Sequence, residues 1–182
     1  MAGASTESDS HLRKLEENVL SEWPLIDFFP SALRLDPMNT TDLTQRPPRS
    51  PRLKLGGYII LPRMLDKGRA QLEGKAGEYH FACPLDQHFL SFTGLAAEEI
   101  LNLLKQGKSD GEVLAWVRQQ TKQNDWEILY WSEYHSRRGP TDNESRQYFN
   151  ETLQKFAPDR DDIATWFDLL DIDDFVSFGG KA

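Results

Sequence analysis

A short segment of the chain places a cysteine between two histidines and near an aspartate, in the order His80, Cys83, Asp86 and His88. Cys83 directly precedes Pro84, where we predict that a helix begins. The N-terminus of a helix stabilises negative charge and therefore favours the thiolate form of a cysteine. A thiolate is a nucleophile, and a nearby histidine is a common base for such a nucleophile. The segment therefore indicates His80, Cys83 and Asp86 as candidate catalytic residues.

Two other interpretations of this segment compete with catalysis. A free cysteine behaves as a small apolar side chain and is among the most buried residue types, so Cys83 can simply fill a core position. His80, Cys83 and His88 are also residue types that bind zinc. A structural zinc site takes four ligands, however, and the spacing H-x2-C-x4-H fits none of the usual patterns. We therefore predict no metal site.

A second candidate site is a run of positive charge. Residues 43–75 contain eight lysines and arginines against Asp66 and Glu73, so this segment carries a net charge of +6 and the rest of the chain carries −14. The planar guanidinium suits carboxylate and phosphate groups, and Arg63 and Lys67 share one helical face at i,i+4. One interpretation is a site for an anionic ligand. Its predicted residues are Arg49, Arg52, Tyr58, Arg63, Lys67 and His80. The other interpretation is that these cations pair with the protein's own 29 acidic residues.

Composition limits the classes of function. The chain has 182 residues and a net charge of −8, which argues against binding to nucleic acid, since such binding depends on lysine and arginine meeting phosphates. A single cysteine excludes an internal disulfide, so no oxidising compartment is needed. No apolar run is long enough to span a membrane, and residues 1–9 lack the basic and apolar regions of a secretory signal. We expect a cytoplasmic protein that does not bind membranes.

Motifs for common cofactors and catalytic centres do not occur. The sequence contains no G-x-G-x-x-G, no phosphate-binding G-x-x-x-x-G-K-[ST], no G-x-S-x-G and no H-E-x-x-H. We therefore predict no cofactor. Several aspartates crowd residues 159–174, but they lack the spacing of a calcium-binding loop, and we interpret this region as solvated acidic surface. The oligomeric state is not indicated by the sequence.

Periodic apolar residues and helix-capping signals predict the elements that position these side chains. They indicate an all-α fold, an irregular bundle of about six to eight short helices with one short extended segment at residues 78–82, near Tyr79. For the first helix after residue 56 we weigh two alternatives. One is a helix from about Gly57 to Glu73 that is kinked or restarted at Pro62, and the other is a short strand at residues 58–61 before a helix that begins at Pro62. The remaining helices are predicted at residues 84–93, 96–106, 110–121, 125–137, 143–156 and 158–170.

The predicted domain organisation has three parts. Residues 1–9 are expected to be disordered, and residues 10–41 to form an N-terminal helix and an apolar arm. Residues 42–182 are expected to form a single helical domain with a C-terminal extension after about residue 136. Residues 37–51 are rich in proline, and we predict that they form an extended linker that wraps the surface.

Six short blocks follow one another in the central part of the chain: DLT at 42–44, PRSPR at 48–52, LGGY at 55–58, LPRMLDK with RA at 61–70, GEYH at 77–80 and CPLD at 83–86. They resemble the blocks of a largely bacterial family that is catalogued as a domain of unknown function. The resemblance runs from about Asp42 to Arg118, and more loosely to Tyr134. It implies a small soluble helical domain, and it supplies no activity, cofactor or catalytic assignment. It also implies that the segments before residue 42 and after about residue 136 are additions.

These observations leave three functional hypotheses. The first is a binding module that holds an anionic small molecule or a protein partner through residues 46–75. The second is a small-molecule enzyme with a cleft around Arg63, His80, Cys83 and Asp86, in which Arg63 and Lys67 hold the substrate. The third is a scaffold without a ligand site. The enzyme hypothesis requires that its residues converge on one concave site.

Overall fold

The computed structural model describes residues 42–181, and the predictions for residues 1–41 lie outside the described residues. Within residues 42–181 the fold contains seven helices and no strand, and an isolated antiparallel bridge joins Leu55 and Tyr58. The prediction of an all-α irregular bundle is confirmed. The helices are α1 (Leu61–Leu72), α2 (Pro84–Thr93), α3 (Ala97–Lys105), α4 (Asp110–Gln120), α5 (Asp125–Arg137), α6 (Asn143–Phe156) and α7 (Trp166–Ser177). None of the helices described between residues 42 and 181 has both the length and the apolar character needed to cross a membrane.

Helix α1 begins at Leu61, after a tight turn. Leu55 and Tyr58 exchange both backbone hydrogen bonds, at 2.9 and 3.1 Å, so the chain reverses immediately before the helix. Pro62 then occupies the first helical turn, where its missing N–H leaves no bond unmade. The predicted kinked helix from Gly57 is therefore wrong. The alternative start at Pro62 lies within one residue of the observed start, but residue 58 forms an isolated bridge and residues 59 and 60 form a bend rather than a strand.

Helices α2 to α6 match their predicted bounds to within one residue at each end. Their ends carry capping residues that can be recognised in the sequence. Ser109 and Glu112 cap α4 by exchanging side-chain and backbone bonds, and Asn124 and Glu127 do the same for α5. Gly94 ends α2 in the left-handed conformation.

The last helix is displaced from its predicted position. We predicted residues 158–170, but α7 spans Trp166–Ser177, and residues 158–165 form turns and irregular backbone. The hydroxyl oxygen of Thr165 accepts a bond from the Asp168 amide at 3.1 Å, and the Asp168 carboxylate accepts one from the Thr165 amide at 2.8 Å. This capping box is a stronger start than a proline followed by aspartates, because it satisfies two backbone donors at once.

Helix α1 lies at the centre of the main core. Leu61, Met64 and Leu65 are fully buried, and α1 packs against α2 and α3, while α3 packs against α4. Burial of each such side chain stabilises the fold by about 1.5–3 kcal/mol. A second, smaller cluster lies between α6 and α7 and is formed by Phe149, Ala157, Leu169 and Ile172. Helix α7 also packs against α5.

The segment that leads into α1 is part of the domain rather than a surface linker. Leu43 is buried, its amide donates to the Lys75 carbonyl at 2.9 Å, and Pro48 and Pro51 are buried as well. The linker prediction is therefore wrong for residues 42–51. Residues 78–82, predicted as an extended segment, form turns and irregular backbone that carry Tyr79 and His80 toward α2.

Candidate functional site

Arg63 lies in the first turn of α1 and meets Asp174 of α7. Its guanidinium donates to both carboxylate oxygens, at 2.6 and 3.1 Å, and the Tyr79 hydroxyl donates to the same carboxylate at 2.7 Å. The two charged side chains are only 4% and 8% exposed. Burial works against the charged form of Arg63, but Asp174 outweighs it, so the pKa of Arg63 is raised. Burial, followed by the bond to Asp174, also raises the pKa of Tyr79. Arg63 therefore joins α1 to α7.

Arg49 also uses its guanidinium within the protein. It donates to Asp66 of α1 at 2.9 and 2.7 Å and to Asp110 of α4 at 2.7 Å. Asp110 forms a further ion pair with Arg69 at 2.7 Å. Burial raises the pKa of Asp110, but its two arginine partners outweigh burial and hold that pKa below its usual value.

Internal pairing extends over most of the basic segment. Arg52 pairs with Asp168, and with Asp171 at 3.4 Å, both on α7. Seven cations between residues 43 and 75 form ion pairs with acidic residues of the same chain. They are Arg49, Arg52, Lys54, Arg63, Lys67, Arg69 and Lys75. The contacts of these cations therefore agree with the interpretation that they pair with the protein's own carboxylates.

Lys67, one turn after Arg63, forms the most buried of these pairs. Its Nζ donates to Asp86 Oδ1 at 2.8 Å, and the two side chains are 3% and 0% exposed. The same Nζ lies 3.0 Å from the sulfur of Cys83. Asp86 Oδ2 is buried without a hydrogen-bond partner among the described residues. Burial raises the pKa of Asp86, and Lys67 acts in the opposite direction. Lys67, Cys83 and Asp86 thus form one connected group.

Cys83 occupies the N-cap of α2, with Pro84 as the first helical residue. Its side chain accepts no capping hydrogen bond from the backbone N–H groups of the first turn. The residue before it, Ala82, has φ of 58°. Ile60, which precedes α1, has φ of 67°. Such backbone costs about 1–3 kcal/mol per residue and concentrates at functional sites.

A cleft of about 680 Å³ lies between α1, α2 and α7. The cleft brings together Arg63, Lys67, His80 and Cys83, and Asp86 lies directly behind Lys67. Cys83 is partly exposed rather than sealed in the core, and His80 is exposed. The other lining residues are Leu43, Thr44, Gly77, Glu78, Tyr79, Leu85, Leu170, Asp173, Ser177 and Phe178.

Three of the predicted ligand-binding residues do not line this cleft. Arg49 and Arg52 form the ion pairs described above, away from its walls. Tyr58 is fully buried in the main core, where its ring meets Phe89 edge-on at a centroid distance of 5.5 Å. The wall that α7 contributes was not foreseen, because its residues follow the basic segment by about a hundred positions and carry no local signal.

The fold and site define a helical domain in which buried ion pairs hold a cleft containing a cysteine. A model of a protein family described as Domain of unknown function (DUF5069) matches residues 45–176, and the chain belongs to this family. The resemblance to an uncharacterised family is thereby confirmed. The match continues past Tyr134, where the resemblance ended, and includes α5, α6 and most of α7. A search among curated proteins found no match.

Proposed function

We propose that the protein is a small-molecule enzyme that uses Cys83 as a nucleophile in the cleft. The observation that supports this most directly is the position of Lys67, whose buried Nζ lies 3.0 Å from the Cys83 sulfur. An ammonium group beside a cysteine sulfur stabilises the thiolate form. Because the sulfur is partly exposed at the wall of the cleft, a small molecule can reach it.

Each residue in the proposal has a separate role. The Cys83 thiolate forms a C–S bond with a carbonyl carbon of the substrate, and the carbonyl electron pair moves onto the oxygen. Lys67 has three N–H donors, two of which point to Cys83 and Asp86. The third is the donor we assign to the developing oxyanion. Asp86 is a positioning residue that holds Lys67. The exposed His80 takes the thiol proton of Cys83 and gives it to the leaving group, as the electron pair on the oxygen re-forms the carbonyl and the bond between carbon and leaving group breaks. Water then hydrolyses the thioester and regenerates the thiol.

A second candidate function is non-covalent binding of an anionic small molecule in the same cleft. Arg63 and Lys67 both line the cleft, which favours an anion. Both oxygens of the buried Asp174 carboxylate already hold Arg63, and Lys67 has a single donor left after Asp86 and Cys83, so the cleft offers a free anion few donors. This is why we place covalent chemistry first. In either case a free cysteine suits a reducing compartment, and we propose the cytoplasm.

The first test measures the reactivity of Cys83. Because the chain has one cysteine, alkylation by iodoacetamide reports on this residue alone and can be followed by intact-protein mass spectrometry. Lys67→Met should slow alkylation at neutral pH about 10-fold, the factor given by about 1.4 kcal/mol of lost charge stabilisation. Lys75→Met is the matched control, because Lys75 pairs with Glu73 and does not line the cleft.

The second test asks whether the thiolate performs acyl chemistry. With p-nitrophenyl acetate, attack by Cys83 releases p-nitrophenolate and leaves an acetyl thioester on the sulfur. Cys83→Ser should abolish the thioester adduct, and His80→Gln should slow its formation. If Lys67→Met leaves the alkylation rate within twofold of the wild type while the fold is intact, Lys67 does not activate the cysteine. Retained binding of an anionic ligand by Cys83→Ser, without any adduct in the wild type, would favour the second candidate function.

A further inference from the structure

A second cavity, of about 230 Å³, lies between α2, α6 and α7. It shares Leu85, Leu170 and Asp173 with the cleft but contains neither Cys83 nor Lys67. Its remaining lining consists of Pro84, His88, Arg138, Tyr148, Thr152, Trp166 and Leu169. Sites for drug-sized ligands usually measure about 300–1,000 Å³, so this cavity suits a smaller molecule. Most of its walls are apolar or aromatic.

Arg138 gives the cavity its distinctive chemistry. Among residues 42–181 it has no ion pair with a carboxylate, in contrast to the paired cations of the basic segment. Its Nη2 lies 3.1 Å from His88 Nε2, and because a guanidinium can only donate, the imidazole nitrogen is the acceptor. Burial, followed by the charge of Arg138, lowers the pKa of His88, which keeps the imidazole neutral. His88 therefore accepts from one nitrogen of the guanidinium, and Arg138 also lines the cavity.

The backbone holds Arg138 beside the aromatic wall. The Arg138 carbonyl accepts a hydrogen bond from the Trp166 amide at 3.0 Å, which joins the end of α5 to the start of α7. The next residue, Gly139, packs so closely that an added Cβ would lie 2.8 Å from the Ala164 carbonyl oxygen. Because a side chain at position 139 would force the two segments apart, this glycine sets the distance between Arg138 and Trp166.

We infer that this cavity binds a small apolar carboxylate. The carboxylate accepts the fork of N–H donors from Arg138, and the hydrocarbon or ring lies against Trp166 and Tyr148. A single guanidinium in a mostly apolar cavity suits a carboxylate better than a phosphate, whose charge and oxygens require more donors. The carboxylate of Asp173 also faces the cavity. It accepts a bond from the Ser177 hydroxyl at 3.4 Å, and burial raises its pKa.

Isothermal titration calorimetry with benzoate and benzamide tests this site, since the two probes have nearly the same shape and differ in charge. Benzoate should bind the wild type about 10-fold or more tightly than benzamide, as expected for a charge-assisted pair. Arg138→Gln should remove that difference. Arg137→Gln is the matched control, because Arg137 is the neighbouring arginine and its side chain is 82% exposed. Cys83→Ser should bind benzoate like the wild type, which separates this site from the proposed chemistry.

The inference is overturned if benzoate does not bind the wild type at millimolar concentration, or if benzamide binds equally well. It is also overturned if Arg138→Gln, with an unchanged unfolding temperature, binds benzoate like the wild type. Should Arg138→Gln fail to fold, Arg138→Lys provides the test. Lysine keeps the charge but lacks the planar fork, so benzoate should bind more weakly than to the wild type, and an unchanged affinity would contradict the proposed pairing.

Discussion

The buried ion pair between Arg63 and Asp174 allows a sharp test of how the domain is held together. In Asp174→Asn the amide keeps one acceptor oxygen but replaces the other with an NH2 group, which faces the donors of the guanidinium. Arg63, at 4% exposure, then keeps its charge without a counter-charge. We expect this single change to destabilise the domain strongly, although it alters the volume of the side chain very little.

The expected loss of unfolding free energy follows from the three hydrogen bonds that the Asp174 carboxylate accepts. Two come from Arg63, at 2.6 and 3.1 Å, and one comes from Tyr79, at 2.7 Å. The Tyr79 hydroxyl can still donate to the asparagine oxygen, so at least one charge-assisted bond is lost, at about 1.5–3 kcal/mol. The uncompensated buried charge brings the total to about 3–5 kcal/mol. Since whole domains have unfolding free energies of about 5–15 kcal/mol, this loss is large.

Urea unfolding followed by circular dichroism measures the effect. The control is Asp125→Asn, because Asp125 pairs with Arg118 at 2.7 Å, while its side chain is 86% exposed. The exposed pair should contribute about 1 kcal/mol or less. The double variant Arg63→Met with Asp174→Leu should cost less than the two single changes added together, since neither charge is left buried. If Asp174→Asn costs no more than Asp125→Asn, the ion pair does not hold α7 against α1.

Three further predictions concern other parts of the domain. Burial lowers the pKa of His135 to about 4. The folded state therefore binds fewer protons at His135 than the unfolded state, and stability is lost as pH falls from about 6.5 toward 4. His135→Gln should flatten the curve of unfolding free energy against pH over that range. Thr165→Ala should cost about 1 kcal/mol in urea unfolding by removing the cap of α7, and an unchanged stability would place the start of this helix elsewhere. Gly77 has φ of 57°, and an added Cβ would lie 3.0 Å from the Leu43 carbonyl oxygen. Gly107 also has a positive φ, of 78°, but there is open space around it. Gly77→Ala should therefore be less stable than Gly107→Ala in the same urea unfolding experiment.

Capping residues and glycines predicted the helix ends that depend on interactions between residues close together in the sequence. The bounds of α2 to α6 follow from caps such as Ser109 with Glu112, in which the interacting residues are three positions apart. The start of α7 was missed because Pro158 and the aspartates after it offer a plausible helix start, and only the folded chain shows that the box at Thr165 is used instead. For α1, the turn before Pro62 depends on a backbone pairing that helical periodicity does not reveal.

The candidate site was predictable only in its residue types. The basic segment and the cysteine segment were both singled out, and the structure places Lys67 of the first against Cys83 of the second. The partner of Arg63, in contrast, lies 111 positions away in the sequence, and no local pattern distinguishes Asp174 from the aspartates near it. The sequence therefore left internal pairing and an external anion as open alternatives, because only a folded chain assigns partners over such distances.

The acidic C-terminal region explains what the positive charge of the basic segment does. We interpreted its aspartates as solvated surface, but Asp168, Asp171 and Asp174 recur every third residue along α7, and this spacing places them on one face of the helix. That face meets Arg52 and Arg63, so complementary charge fixes the position of α7 against α1. Residues from α7 in turn form one wall of the cleft that contains Cys83. Because buried pairs are screened by salt much less than exposed ones, this wall should keep its position at high ionic strength. The basic segment therefore shapes the site by holding the protein's own carboxylates, and the cation that we propose for an external anion, Arg138, lies outside that segment.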